Sequence, residues 1–218
     1  MTEADEARIQ DVLTLLDYRR RVAELYSEIR GGAEPARTWR RWRQVRDELF
    51  ATHPQSPIPE ADRLDFSEVC YYNYDPGFRA LAEFTSSEPQ SYDIPTSGNQ
   101  PMRFTRQGVA AFELGGETLN LELYWLDTYG GGLFVPFRDA TSGDTTYGAG
   151  RYLLDTVKGA DLGVDGDRLV LDFNFAYNPS CSYDPRWVCP LAPPPNRLRV
   201  PVEAGERAGS WQAGPEGG

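Results

Sequence analysis

The run T-L-N-L-E-L-Y-W-L, residues 118–126, constrains this chain more than any other stretch. Leu119, Leu121, Leu123 and Trp125 occupy every second position, with Asn120, Glu122 and Tyr124 between them. An extended strand sends successive side chains to opposite faces, so the run predicts a strand with one buried and one polar side. Gly115-Gly116 just before it is a two-residue hairpin signal leading back to a partner strand at 109–114. Strand-like runs at 69–74, 78–85, 133–137, 150–157, 168–175 and 198–203 bring the total to about eight. Asp75-Pro76-Gly77 reads as a turn and 86–101 as a polar loop. No helical pattern interrupts the series, which predicts an antiparallel meander closing into a barrel or sandwich.

Helices are expected only upstream. Over residues 4–30, Ile9, Val12, Leu13, Leu16, Ala23, Tyr26 and Ile29 recur at steps of three and four, apart from a break near Arg19 to Arg21. That spacing predicts an amphipathic helix, opened by Thr2 as N-cap and closed by Gly31-Gly32. A second helix, capped by Thr38 and stopped by Pro54, carries Trp39, Trp42, Val45, Leu49 and Phe50 on one face. Its arginines read as a solvated opposite face rather than a binding patch. Residues 52–65, with Pro54, Pro57 and Pro59, read as an extended surface loop. The fold class expected is mainly β with N-terminal helices (α+β), two helices packed outside the sheet. One domain is expected over 1–208, helical to about residue 50 and β-rich over 66–206, followed by a tail of disordered composition at 209–218.

A net charge of −11 argues against a nucleic-acid partner, because phosphate backbones are bound through clusters of Lys and Arg. The start, M-T-E-A-D-E-A-R, lacks the basic region and apolar run of a signal peptide, and no stretch reaches the length and apolarity of a membrane span. A cytoplasmic protein with no membrane partner is expected. Cys70, Cys181 and Cys189 then read as thiols, with a disulfide or redox pair of Cys181 and Cys189 as the alternative. No metal site is expected: the two cysteines lack knuckle spacing, and the single histidine, His53, stands before Pro54 as a helix cap or packing group. Any Ser-His-Asp arrangement would have to use that histidine.

Chemistry-bearing residues concentrate between Asp139 and Glu206. In D-A-T-S-G-D-T-T-Y-G-A-G-R-Y, glycines permit tight turns and hydroxyls supply donors, so Arg138, Asp139, Thr141, Tyr147 and Arg151 are candidates for cradling an anion. The other reading is an Asp-rich turn in which Arg151 pairs with Asp139 or Asp172. In L-V-L-D-F-N-F, alternation puts Asp172 and Asn174 on one face with Val170. The proline-stiffened run 176–195 adds Tyr177, Asn178 and Tyr183 as a lid, with Asn196 at its end. Glu203 and Glu206 could set a carboxylate opposite Asp172 for acid–base work.

The longest of these motifs, P-F-R-D-A-T-S-G-D-T-T-Y-G-A-G-R-Y-L, D-F-N-F-A-Y-N-P-S-C-S-Y, C-P-L-A-P-P-P-N-R-L and A-G-E, resemble a bacterial and archaeal family catalogued as domain of unknown function 1684. W-R-x-x-R-D-E-L-F with H-P-Q-S-P, residues 42–57, extends the likeness to about residues 10–207. The resemblance implies a family and no activity, so it carries over no catalytic residue and no cofactor. From the residues themselves, the expected function is binding of a small polar or anionic ligand in a pocket floored by Asp172, Asn174 and Arg151. The alternatives are a hydrolase using Asp172 with Tyr147 or a Glu, and a structural domain in which the polar cluster is an internal brace.

Overall fold

The computed structural model describes residues 2–209, so the tail expected at 209–218 lies outside the described residues except for Gly209. Helix α1 runs Glu3–Gly31 and helix α2 Pro35–Thr52. Thr2 caps α1 through a reciprocal capping box with Asp5, which satisfies two of the helix's first N–H groups. The second cap differs from expectation. Glu34 precedes α2 with Pro35 in the first turn, while the Thr38 hydroxyl, already inside the helix, donates to the Pro35 carbonyl. Three residues join the helices into a hairpin: Tyr18 meets His53, and Trp42 Nε1 donates to the Tyr26 hydroxyl at 3.1 Å.

Seven strands form one antiparallel sheet in the order β5-β4-β3-β2-β1-β7-β6, curled into a half-barrel. They are β1 Arg79–Ile94, β2 Met102–Leu114, β3 Glu117–Leu126, β4 Leu133–Phe137, β5 Arg151–Asp155, β6 Val164–Asp165 and β7 Arg168–Asp172. The first five make the expected meander, and the β6–β7 hairpin returns to pair with β1. Two expected strands are absent. Residues 69–74 supply a single bridge, Tyr71 to Glu206, and 198–203 form no ladder, tied by backbone bonds of Leu198 and Val200 to residues 138–140 and by the side chains of Arg151 and Asp139.

The polar stretch 86–94, expected as loop, is strand. A bulge between Ser86 and Gln90, containing Pro89, lets the ladder resume with Gln90 opposite Arg106 and Ile94 opposite Met102. Proline has no N–H to donate, and an unpaired bulge residue needs none. A second bulge sits between Arg106 and Gly108 on the β2–β3 pair. A side chain at Gly108 would collide with the Thr85 carbonyl, so only glycine fits where the two strands press together.

The bulge changes which core β2 serves, Phe104 lying on one side of the sheet and Ala110, Phe112 and Leu114 on the other, while β3 alternates without a break. Leu121 and Leu123 join a core of alanines, leucines, Phe112, Phe137 and Phe173 on one side of the sheet. Tyr124 joins a second, aromatic core on the other side, with Phe104, Phe134, Tyr152, Phe175, Tyr177, Trp39 and Trp42, against the helix hairpin. Trp125, expected inside, is 43% exposed. Both faces of the sheet are therefore covered where β4 and β5 lie, and β5 is buried at all five positions. Phe134→Ala should lower the unfolding free energy by about 3–5 kcal/mol, whereas Trp125→Ala should cost about 1 kcal/mol at most. Urea denaturation of both variants checks the assignment.

Candidate functional site

The fold distributes the sequence-expected residues over separate places rather than one hollow. Arg151 is 1% exposed and Asp139 7%. The Arg151 guanidinium donates to Asp139 Oδ2 at 2.7 Å and to the backbone carbonyls of Val202 (2.9 Å), Ala204 and Glu206 (3.2 Å). Asp139 also accepts from the Thr141 amide and hydroxyl and from the Val202 amide. Both carboxylate oxygens are engaged by protein and only Nε of the guanidinium is left without a partner, which is the geometry of a brace; it holds the C-terminal segment against β5.

Asp172 and Asn174 do project together, but toward each other. β7 stops at Asp172, which caps a short 3-10 turn, Phe173–Phe175, by accepting from the Asn174 amide and side chain. Asn174 exchanges two hydrogen bonds with the backbone of Asp75, tying that turn to the sheet. Burial lifts the Asp172 carboxyl to about 6. Asn196 is likewise fully bonded, to the backbone of Glu122 and Pro136. Arg138 stays half-buried, its strand bridged to Arg197. Tyr147 lies against Cys181, remote in partners from Asp172. The expected floor of Asp172, Asn174 and Arg151 is thus two independent clasps, because each group finds a protein partner closer in the chain than any shared centre.

The lid residues do converge. Tyr177, Asn178 and Tyr183 line a cavity of about 60 Å³ between the helix hairpin and the sheet, with Tyr18, Tyr26, Trp42, Arg46 and Lys158 among its other walls. Arg46 reads in the sequence as part of a solvated face. Its guanidinium instead lies over the rings of Trp42, Phe50 and Tyr177 at 4.8–5.1 Å, donating to the Tyr71 hydroxyl (2.9 Å) and to Glu206 Oε2 (2.6 Å). The signal was present in the spacing, since Arg46 stands four residues after Trp42 and four before Phe50.

Glu206 is fully buried and accepts from Arg46, from the Asn178 amide at 3.0 Å and from the Tyr183 hydroxyl. Gly205 aims it there. Its φ of +76° suits glycine, and a Cβ would come within 2.6 Å of the Phe173 and Ala176 carbonyl oxygens. Burial raises the Glu206 carboxyl to about 7, against the pull of Arg46 and Asn178. Glu203, by contrast, is exposed. Lys158 Nζ sits 3.1 Å from Asp155; enclosure opposes its charge, but Asp155 outweighs that and lifts its pKa. Two polar atoms of the cavity-lining residues, the Tyr177 hydroxyl and Asn178 Oδ1, are buried without a hydrogen-bond partner.

Beyond this cavity lies the cysteine pair. Cys181 and Cys189 are buried free thiols, with the Cys181 amide donating to Cys189 Sγ at 3.4 Å. Hydrogen bonding from Cys189 lowers Cys181 to about 6 although burial works the other way, and Cys189 is raised in return. Among the described residues no group of three or more His, Cys, Asp and Glu side chains is placed to hold a metal, and no helix is long and apolar enough to cross a membrane.

The sequence profile of the family described as "Protein of unknown function (DUF1684)" matches residues 64–207, which include the whole sheet, the brace, Glu206 and the lid. The chain belongs to this family. A solution NMR structure of an uncharacterised protein from Haloarcula marismortui is 40% identical, covers 78% of this chain and 91% of its own, and superposes with a TM-score of 0.57. No curated protein matches. Arg46 and the helix hairpin fall outside the profile-matched span, so this DUF1684 chain completes its cavity with residues upstream of the matched region.

Two outcomes test the site's internal bonding. Arg151→Ala should reduce the unfolding free energy by about 3–5 kcal/mol, since it strands the buried Asp139 carboxylate; chemical denaturation measures this. A carboxyl raised from 4.5 to about 7 binds its proton more tightly when folded, so its contribution to stability falls as pH rises through that window and is level above it. Wild type should therefore lose melting temperature relative to Glu206→Gln between about pH 4.5 and 7, where Asp172 titrates equally in both proteins. A wild-type melting temperature that rose relative to Glu206→Gln over that range would mean that Arg46, not burial, sets the carboxyl's state.

Proposed function

We propose that this protein binds a small oxyanion-bearing molecule carrying at least one hydroxyl, in the cavity between the helix hairpin and the sheet. The observation that carries this reading is the pair of orphaned buried groups, the Tyr177 hydroxyl and Asn178 Oδ1, on residues lining a cavity that two cationic side chains also line. An unsatisfied buried polar atom costs about 1–3 kcal/mol, which a ligand donating to Asn178 and bonding to Tyr177 removes. The Asn178 amide nitrogen already donates to the Arg207 carbonyl, so its oxygen is the atom left to accept. Arg46 Nη1 and two of the three Lys158 protons remain for an anionic group.

The dimensions limit the ligand. A water occupies roughly 10–15 Å³ by this measure of space, so about 60 Å³ accepts a carboxylate or phosphate head with a short stem. The aromatic walls suit such a stem. Charge is balanced by Glu206: with Arg46 and Lys158 each already beside a carboxylate, an incoming anion favours the protonated form of a group poised near 7. Binding is thereby coupled to proton uptake, and affinity rises as pH falls through that value.

Calorimetric titration with inorganic phosphate, glycolate, lactate and glycerol phosphate tests the proposal. Lys158→Ala and Tyr177→Phe should each weaken binding roughly tenfold, a loss of about 1.4 kcal/mol, with folding intact. Binding that is equal in both variants and wild type, or absent across the panel, overturns it.

A further inference from the structure

Three protic side chains meet around one buried sulfur. The Cys181 thiol is hydrogen-bonded by Cys189, by the Ser97 hydroxyl and by the Tyr147 hydroxyl, and the Cys181 amide donates to Cys189 Sγ at 3.4 Å. Two local structures bring the cysteines together. Cys181 stands in the short 3-10 turn Ser180–Ser182. Cys189 is fastened to the loop after β1: its carbonyl accepts from the Ser97 amide, its own amide donates to the Ser97 hydroxyl, and Pro190 bridges Thr96. A cysteine that only fills a core needs apolar neighbours and no donors. Cys181 instead has its sulfur ringed by donors, one of them a second thiol, while the Lys158 ammonium acts on Cys189. Hydrogen bonding, led by Cys189, holds Cys181 at about 6 against burial, and Cys189 keeps its proton.

We infer that Cys181 and Cys189 form a redox couple for small hydroperoxides, with Cys181 as the attacking thiolate and Cys189 as the resolving thiol. Each residue is only 6% exposed, which suits a molecule the size of hydrogen peroxide and excludes a bulky disulfide as oxidant. In the first step Cys181 Sγ attacks one peroxide oxygen and the O–O bond breaks. That oxygen stays on sulfur as a sulfenic acid, and the other leaves as hydroxide or alkoxide, taking up the proton that Cys181 had released. In the second step Cys189 Sγ attacks Cys181 Sγ and gives its proton to the departing hydroxide, so that a disulfide and water form. The two thiols supply the two electrons that reduce the peroxide. The new bond ties the Ser180–Ser182 turn, whose Ser180 lines the ligand cavity, to the segment held by residues 95–97. No step uses the orphaned groups of that cavity, so the inference stands apart from the ligand reading.

Cys70 is exposed and would obscure the count, so the test uses full-length Cys70→Ser protein, which keeps the native pair. After treatment with equimolar hydrogen peroxide, thiols titrated in denaturant should fall from two to none, peptide mapping should join residues 181 and 189, and a dithiol reductant should restore both. Adding Cys189→Ser should stop the reaction at a sulfenic acid on residue 181, trapped as a dimedone adduct. Adding Cys181→Ser instead should slow oxidation about tenfold or more at pH 6, because the remaining thiol is scarcely ionised there. The thiol count needs no change within the pair, so it stands even where a single variant misfolds. Two thiols that survive excess peroxide, or equal rates in the two single variants, overturn the proposal.

Discussion

Two buried guanidinium groups grip the same residue, and the site depends on that grip. Arg151 reaches from β5 to the carbonyls of Val202, Ala204 and Glu206, so that one guanidinium fixes three alternate residues of the last segment. Arg46 reaches from α2 to the Glu206 carboxylate. The backbone of residue 206 is thus fixed by the sheet and its side chain by the helices. A segment with no ladder of its own acquires a definite place, and a carboxylate is carried into the aromatic interface between the two layers. Without Asp139 to balance Arg151, the guanidinium would face an apolar core with only carbonyl dipoles for compensation.

The two cores divide the labour. One side of the curled sheet is filled by small and aliphatic side chains with three phenylalanines, a close-packed mass against which the paired Arg151 guanidinium lies over Phe137. The other side is aromatic, and its Tyr, Trp and Arg groups carry polar atoms that must be bonded. Most are: Trp39 to the Asn174 carbonyl, Trp42 to Tyr26, Arg46 to Tyr71. The Tyr177 hydroxyl and Asn178 Oδ1 are not, and they belong to residues that line the cavity in that interface. A cavity arises there because flat rings on the helices and sheet meet at their edges and cannot close every gap.

Much of this was legible in the sequence. Alternation in 118–126 with Gly115-Gly116 identified the β2–β3 hairpin, and Thr2 as N-cap identified the start of α1. The pairing of Arg151 with Asp139 was one of two readings of the Asp-rich turn, and Tyr177, Asn178 and Tyr183 stood in the stiffened run. Other features were hidden. Residues 86–94 look like loop because their side chains are polar, yet they face solvent on an edge-like half of a long hairpin and need no apolar pattern. Arg46 looks like a surface charge, because its spacing from Trp42 and Phe50 signals ring contacts but not a buried acid 160 positions away. Asp172 and Asn174 look like a shared site, because period-two alternation cannot show that the strand ends between them.

The sequence by itself determined the central strands, the two helices, the β2–β3 turn and the inventory of groups capable of binding, since each follows from contacts within a few residues: alternation, capping and the backbone limits of Gly and Pro. Tertiary structure decided which of those groups meet. Bulges shifted the faces of β1 and β2, and Arg151 drew the last segment onto the sheet. Convergence of Arg46, Lys158, Tyr177, Asn178 and Glu206 therefore had to await the fold, because burial and long-range ion pairing depend on which distant surfaces exclude water together.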